Sequence, residues 1–471
     1  MRSGQGLHTR VKRDTEGTAT FIGEQVIRKE RYNQGKALRA NVPLAEHAKW
    51  EVSTERHDVL GILAKSNLSR LPNLVPIRYE RMLKTPFTFL RGSAAVMAYD
   101  LSQTPNSGIT VQCCGDCHLA NFGLFATPER NLIFDLNDFD ETHPAPFEWD
   151  VKRLAASFYV AARGNRCTQK KCESVVMTMV RAYREAMIEF SNMPLLTVWY
   201  TELKIDDLIA AAPDRATRHE DETIALKARK RIAEHLFPKI TEVVDGRRRI
   251  IDQPPLIYHP PSELKAEETF IEEFEQYRES LTYDRQCLLA RYRVDDFVMK
   301  VVGVGSVGTR CGVILLSSEG EPLLLQIKEA QPSVLEPYTA PSEFINQGER
   351  VVQGQRLLQA ASDIFLGWTT TPKGDLNYYV RQLRDMKYAF TIEGFTPAAF
   401  ATYATICGKT LARAHAKAGD AALISGYLGK TDQFDTAITA FAAAYSRQTD
   451  LDHQTLVVAE QTGAITASHD P

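Results

Sequence analysis

The sequence predicts an α+β fold in two lobes, and three observations carry that expectation. Residues 46–290 are dominated by apolar residues at helical spacing, as in KKCESVVMTMVRAYREAMIEF. Near residue 292 the texture changes to VDDFVMKVVGVGSVGTRCGVILLSSEGEPLLLQIKEA, β-branched and Gly-punctuated, which reads as three strands joined by two turns. Helical spacing returns at 396–418. The expected divisions are a polar lead-in at 1–45, a mainly helical lobe at 46–290, a β-rich lobe at 291–385, helices at 386–460 packing back on the first lobe, and a tail at 461–471.

An apolar fraction of 44% over 471 residues is ample for a buried core. The 56 basic and 59 acidic residues leave a net charge of −3, so no global field favours nucleic acid or an acidic membrane. The opening stretch MRSGQGLHTRVKRDTEG is basic but has no apolar segment, so it does not read as a signal peptide. No run approaches 18 consecutive apolar residues, which predicts no membrane span. Eight cysteines without a secretory signal predict reduced thiols and a cytoplasmic location.

Taken in order, residues 46–83 read as helical, and Ser93 stands where it can cap a helix over 94–101. Ile109-Thr110-Val111 reads as a strand, and Leu132-Ile133-Phe134 as another. PAPFEWDVKRLAASFYVAARG is a Pro-punctuated loop entering an amphipathic helix, and helices continue to about 195, over 217–236 and near 262–290. Residues 247–263 form a Pro-rich connector whose run Arg247-Arg248-Arg249 reads as solvated surface. A helix over 341–362, an edge-like strand at 377–383 and two long helices complete the chain.

The chemistry concentrates in CCGDCHLANFGLFATPERNLIFDLNDFD, residues 113–140. Asp116 is followed by His118 and Asn121, and the strand at 132–134 runs into Asp135, Asp138 and Asp140. Phosphoryl transfer needs one acid to orient or deprotonate the acceptor, and an amide with a second acid to hold Mg²⁺ on nucleotide phosphates. Other readings of the stretch are weaker. Cys114-Gly-Asp-Cys117-His118 fits the haem-attachment pattern, but that chemistry belongs outside the cytosol. A single C-x-x-C makes an incomplete zinc site. An EF-hand starting at Asp135 would need Gly at 140 and Glu at 146, where Asp140 and Pro146 stand.

A second constellation lies far downstream. Gly303, Gly305 and Gly308 form G-x-G-x-x-G, with Ser306 inside it. The residues after Gly308 make a poor helix and a good hairpin, so a dinucleotide fingerprint is not expected. A glycine-rich hairpin over phosphates is, because missing Cβ atoms let backbone N–H groups approach an anion. That use predicts a lysine on the next strand, and Lys328 stands there. Glu349 is the first choice for an acid pairing with it, ahead of Glu343 and Glu329. Arg91 reads equally as a contact to an acidic group of the substrate or as a structural ion pair, whereas Arg381 and His415 read as structural.

CGDCHLAN resembles the H-G-D-x-H-x-x-N catalytic loop of aminoglycoside and choline kinase-like phosphotransferases, with Cys114 in place of the first histidine. The resemblance implies that Asp116 is the catalytic acid, His118 shapes the loop and Asn121 binds metal. LIFDLNDFD resembles the strand and metal-binding aspartate of those enzymes, which puts Asp135 first, Asp138 close behind and Asp140 third. EWDVKRLAAS resembles the helix whose aspartate braces the loop, here Asp150. GVGSVG and IKEA resemble the glycine loop and phosphate-contacting lysine, NYYVRQL the hinge strand, and KTLARAHAKAGD the helix that leads into the catalytic loop. These parts fall in the usual order only when taken cyclically, which implies a circularly permuted kinase-like fold. The helix at 93–101 is an alternative lead-in. Over about residues 25–455, stretches such as LVPIRYERM, GDCHLANFG, FDLNDFDET and KVVGVGSVGTRC also resemble a bacterial family labelled domain of unknown function 2252.

The expected activity is transfer of phosphate from ATP, with Mg²⁺, to a small-molecule hydroxyl acceptor. The alternatives are AMP transfer, and a nucleotide-binding regulator without turnover.

Overall fold

The computed structural model describes residues 12–13, 19–20 and 27–468, apart from 53–55, 57, 212–214, 245–246, 260–266, 302 and 384. About half of the expected lead-in at 1–45 falls outside these residues, and its later part carries a helix, α1 (Arg28–Leu38). It docks on the helix Ala421–Leu428 backbone to backbone. A Cβ at Gly35 would lie 1.9 Å from the Leu423 carbonyl oxygen, and one at Gly426 would lie 2.0 Å from that of Tyr32. Only glycine permits such an approach. Gly426→Val is therefore expected to cost about 1–3 kcal/mol by overpacking, read as a lower denaturant midpoint at unchanged slope.

Short helices follow. The stretch at 46–83 is interrupted rather than continuous: a 3₁₀ turn at Leu44–Ala48 precedes helices Val59–Asn67 and Val75–Leu83. Pro86–Gly92 opens with a capping box between Thr85 and Thr88, and α2 (Ala94–Ser102) comes next. Strand β1 (Thr110–Cys113) pairs with β4 (His143–Pro146), and between them β2 (Phe122–Ala126) and β3 (Leu132–Leu136) form a hairpin. The long helices α3 (Phe147–Gly164) and α4 (Gln169–Asn192) then build the core of the helical lobe. Leu154 and Phe158 of α3 and Val176 and Tyr183 of α4 join one apolar cluster with residues from the C-terminal helices, including Leu411 and Phe441.

The β-rich lobe centres on β5 (Arg293–Lys300), β6 (Cys311–Ser318) and β7 (Glu321–Ala330). Glu319 and Gly320 both have positive φ, as a two-residue turn matched to strand twist requires. Helix α5 (Gln347–Leu358) starts at an Asn346 cap, and β8 (Gly367–Thr370) and β9 (Asn377–Gln382) join an antiparallel sheet of order β8-β9-β7-β6-β5, with the short strand Ile257–Tyr258 paired to the outer side of β5. The strand expected at an edge, β9, is thus interior.

Period-two alternation buries both faces of the sheet. Ile314 and Leu316 face a cluster with Tyr277 and Phe365, while Val313 and Leu315 face Phe237 and Ile250. Phe237, Ile250, Tyr277 and Leu289 accordingly pack on the sheet, so its cover draws on residues before 291. The expected connector at 247–263 instead contributes the second strand of a hairpin, Thr241–Val244 with Arg247–Ile250.

After β9, α6 (Pro397–Ala418) returns to the helical lobe, capped by Thr396 with proline at its first turn. Its end abuts β1: a Cβ at Gly419 would lie 2.6 Å from Val111 Cγ1. The final helix, Gln433–Gln461, lies across the first lobe and contributes Phe434 and Phe441 to its core.

Candidate active site

Asp116 sits in a tight turn fed by β1. Gly115 has φ +85°, and a Cβ there would lie 2.0 Å from the Glu141 carbonyl oxygen, so the turn demands glycine. The turn is braced from below. Asp150, in the first turn of α3, accepts the N–H groups of Cys114 at 2.7 Å and Gly115 at 3.1 Å. His415 of α6 places Nε2 3.3 Å from Asp150, and its Nδ1 is 2.8 Å from the Tyr183 hydroxyl. Both residues are structural, as expected from sequence. Cys113, Cys114 and Cys117 lie close to Asp150, but burial raises all three thiols, that of Cys117 to about 12. They stay protonated beside a carboxylate already engaged by two amides.

Asp116 is itself held by a residue that sequence reasoning left out. Arg153, one turn after Asp150 and 2% exposed, donates to Asp116 Oδ1 through Nε at 2.9 Å and Nη2 at 2.5 Å. Burial pulls the Asp116 carboxyl upward, but Arg153, His118 and Arg91 outweigh it and hold the group below the usual carboxylate range. The i to i+3 spacing from Asp150 was the available signal. His118 Nε2 is 3.6 Å from Asp116 Oδ2. Burial pushes the imidazole down to about 4 against the pull of Asp116, so it is neutral at pH 7.

Asn121 clips the acidic loop to the catalytic turn. Its Nδ2 donates to the Asp138 carbonyl at 2.9 Å and its Oδ1 accepts the Asp138 N–H at 2.6 Å. Asp138 and Asp140 then share one space with opposite protonation tendencies. Burial and the neighbouring Asp140 raise Asp138. Asp140 is held well below its ordinary value against its own burial, chiefly by Lys328. Three donors converge on Asp140: Lys328 Nζ at 2.7 Å, Ser306 Oγ at 2.9 Å and the Tyr379 hydroxyl at 2.6 Å. Lys328 and Tyr379 are direct cross-strand partners on β7 and β9, which puts both on one face.

Three expected assignments are displaced. Asn121, expected as a metal ligand, has its amide committed to the Asp138 backbone. Asp135, ranked first for metal, is only 1% exposed and turned toward α6, where Arg413 Nη2 meets it at 2.5 Å. The N–H groups of Leu136 and Ala360 take up the rest of its carboxylate. It still lies inside β3, and the chain reaches the cleft only after the strand ends. Glu349 is likewise not the partner of Lys328, which is Asp140. The inward position on α5 belongs to Arg350, 2% exposed, which donates to the carbonyls of Asp140 and Gln331.

The glycine loop descends onto this acidic pair. Gly308 has φ +91°, a conformation open to glycine, whereas Gly303 is exposed with free space around it. The position of a Gly305 Cβ would be 3.9 Å from Asp116 Oδ2. The loop is gripped by a second residue missed in the sequence. Arg70 donates to the carbonyls of Val307 at 2.5 Å and Gly305 at 2.9 Å. The cleft so formed carries Asp116, Asp138 and Asp140 on one side, Gly305 and Ser306 above, and Arg91 on its wall; it encloses about 70 Å³. That volume holds a few waters and no nucleotide. Arg381 bridges the lobes by donating to the Asn137 carbonyl at 2.9 Å.

Among the described residues no helix is long and apolar enough to cross a membrane. No curated protein and no solved structure matches the chain. A family model described as an uncharacterized protein conserved in bacteria, DUF2252, matches residues 70–459. With most of its length so matched, the chain belongs to the DUF2252 family of bacterial proteins.

Proposed function

We propose that this protein is an ATP- and Mg²⁺-dependent phosphotransferase with a kinase-like fold in circularly permuted order, acting on a small-molecule hydroxyl acceptor. One observation carries the reading. Asp116, Asp138 and Asp140 meet Gly305 and Ser306 around a single cleft, with Asn121 bonded to the Asp138 backbone and Lys328 to Asp140 behind it, although Asp140 and Lys328 are 188 positions apart. Lys328 stands on the third strand counted from the glycine loop's first, as the phosphate-contacting lysine of protein kinases does. The abutment of α6 on β1 supports the permuted order, because that helix would lead directly into the catalytic turn in an unpermuted chain.

The donor set suits Mg²⁺. Asp138 offers hard carboxylate oxygens, carries a raised pKa that a cation would relieve, and accepts only a 3.3 Å bond from the Asp140 N–H. Asp138 and Asp140 would hold the ion, with Asn121 fixing the Asp138 backbone. Bound Mg²⁺ supplies charge neutralisation on the nucleotide phosphates. Asp116, ionised and fixed by Arg153, accepts a hydrogen bond from the acceptor hydroxyl and orients it. A carboxylate held this acidic is a weak base, which suits a loose transition state in which the acceptor needs little activation. Nucleotide entry requires the glycine loop to lift, which breaks the bonds from Arg70 and Ser306.

Mass spectrometry of products formed from Mg-ATP and a panel of hydroxyl compounds tests this reading. ADP with a phosphorylated acceptor is the expected result. Pyrophosphate with an adenylylated product would assign AMP transfer instead, and Mg-ATP binding without turnover would assign a regulator.

A further inference from the structure

The wall of the cleft beside Asp116 is built differently from its floor. Arg91, at the end of helix Pro86–Gly92, lines the cleft, and its Nε is buried with no hydrogen-bond partner. Arg78 lines the same space at 2% exposure. Its Nη2 donates to the Gly92 carbonyl at 2.7 Å and its Nη1 to Ser66 Oγ at 3.1 Å and to Asn67 Oδ1, while its Nε is buried and without a partner. Between them α2 begins, with Ala94 and Ala95 on the cleft wall. Ser93, the residue before it, gives no side-chain cap, because its Oγ donates to the Leu90 carbonyl at 3.3 Å. The first turn of a nine-residue helix, the Arg91 guanidinium with its unpartnered Nε, and the free Nε of an otherwise bonded Arg78 therefore share one wall.

Such a wall suits an anion. A helix N-terminus offers N–H groups and the positive end of the helix dipole. Arginine adds forked, charge-assisted bonds to phosphate or carboxylate oxygens. Of the five carboxylates lining the cleft, Asp116 is bonded to Arg153, Asp138 to the loop backbone, Asp140 to Lys328, Glu141 to the Val334 N–H and Glu329 to Arg310; Asp116 and Asp138 also attract Arg91, so a bound anion competes with them for it. Arg70, the other arginine of the cleft, is committed to the glycine loop.

We infer that the acceptor is an anionic hydroxyl compound, a phosphomonoester or carboxylate. Its charged group docks on Arg91, Arg78 and the start of α2, and its hydroxyl lies at Asp116. This rests on the phosphotransferase reading and narrows it to a substrate class. It also answers the question left open for Arg91, in favour of substrate.

Calorimetric titration without nucleotide or Mg²⁺ tests the subsite, with inorganic phosphate, glycerol 3-phosphate, glycerate and glycerol as probes. Phosphate or one of the two anionic glycerol derivatives is expected to bind at one site, and glycerol is not. Arg91→Met is expected to weaken that binding about tenfold or more, the loss of one charged pair. Ala95→Asp, which puts a carboxylate at a helix start where it is tolerated, should abolish it. Lys328→Met should leave it intact. Absence of anion binding in the native protein, equal binding by Arg91→Met, or loss confined to Lys328→Met would overturn the inference. Mg-ATP binding is titrated separately. Intact Mg-ATP binding without the anion site would sink the anionic acceptor alone; anion binding without Mg-ATP binding would sink the phosphotransferase reading alone.

Discussion

Asp116→Asn is expected to lower turnover by about 10²–10⁴-fold, the range seen when a positioned acid or base is lost, with Mg-ATP affinity nearly unchanged. The amide keeps the shape and the neutral loop but loses the charge that aligns the acceptor hydroxyl. The same geometry fixes the pH dependence. Arg153 is the largest influence opposing the burial of Asp116, and it keeps the carboxylate ionised below the usual range. The acid limb of the rate profile attributable to Asp116 therefore lies below that range. Arg153→Met leaves burial dominant, raises the Asp116 pKa and moves the limb to higher pH. An unmoved limb, together with full activity in Asp116→Asn, would remove Asp116 from the reaction.

Arg413→Met is expected to destabilise the fold by about 3–5 kcal/mol, because it leaves the buried Asp135 carboxylate without its counter-charge. Both side chains are 1% exposed, so water cannot replace the lost partner. Pairing Arg413→Met with Asp135→Asn should recover much of that loss, since an uncharged pair carries no desolvation penalty. Denaturant titration of the two single variants and the double variant measures the coupling. The Mg²⁺ dependence of nucleotide binding should be unchanged in the double variant. A shift in it would return Asp135 to the metal site.

Asp135 also marks how far the sequence could be read. The texture change near 292, the turn at Glu319-Gly320 and the gathering of Asp116, Asp138 and Asp140 at one cleft were legible because each depends on local chemistry: period, turn propensity and spacing. The choice between Asp135 and Asp138 was not. It depends on where β3 ends and on an arginine that arrives with α6. Glu349 failed for a related reason, since one residue of helix phase puts Arg350 inside instead. Arg70 and Arg78 were invisible as site residues because nothing local distinguishes them from surface arginines, and Arg153 offered only its i to i+3 spacing from Asp150. Tyr379 had a signal that went unread: in β9 it lies two positions from Arg381 and so on the same face. The edge placement of β9 was wrong because β8, its outer neighbour, is only four residues long and carries little periodic signal.

The pairing of Asp135 with Arg413 spans 278 positions, and that of Asp150 with His415 spans 265. On a ribosome adding about 5–20 residues per second, the first interval lasts roughly 14–56 s. Throughout it, the apolar hairpin of β2 and β3 and the first face of α3 are already made, while the helix that neutralises and covers them is not. This chain order thus sets a long window in which the nascent helical lobe exposes buried carboxylates and core surface together.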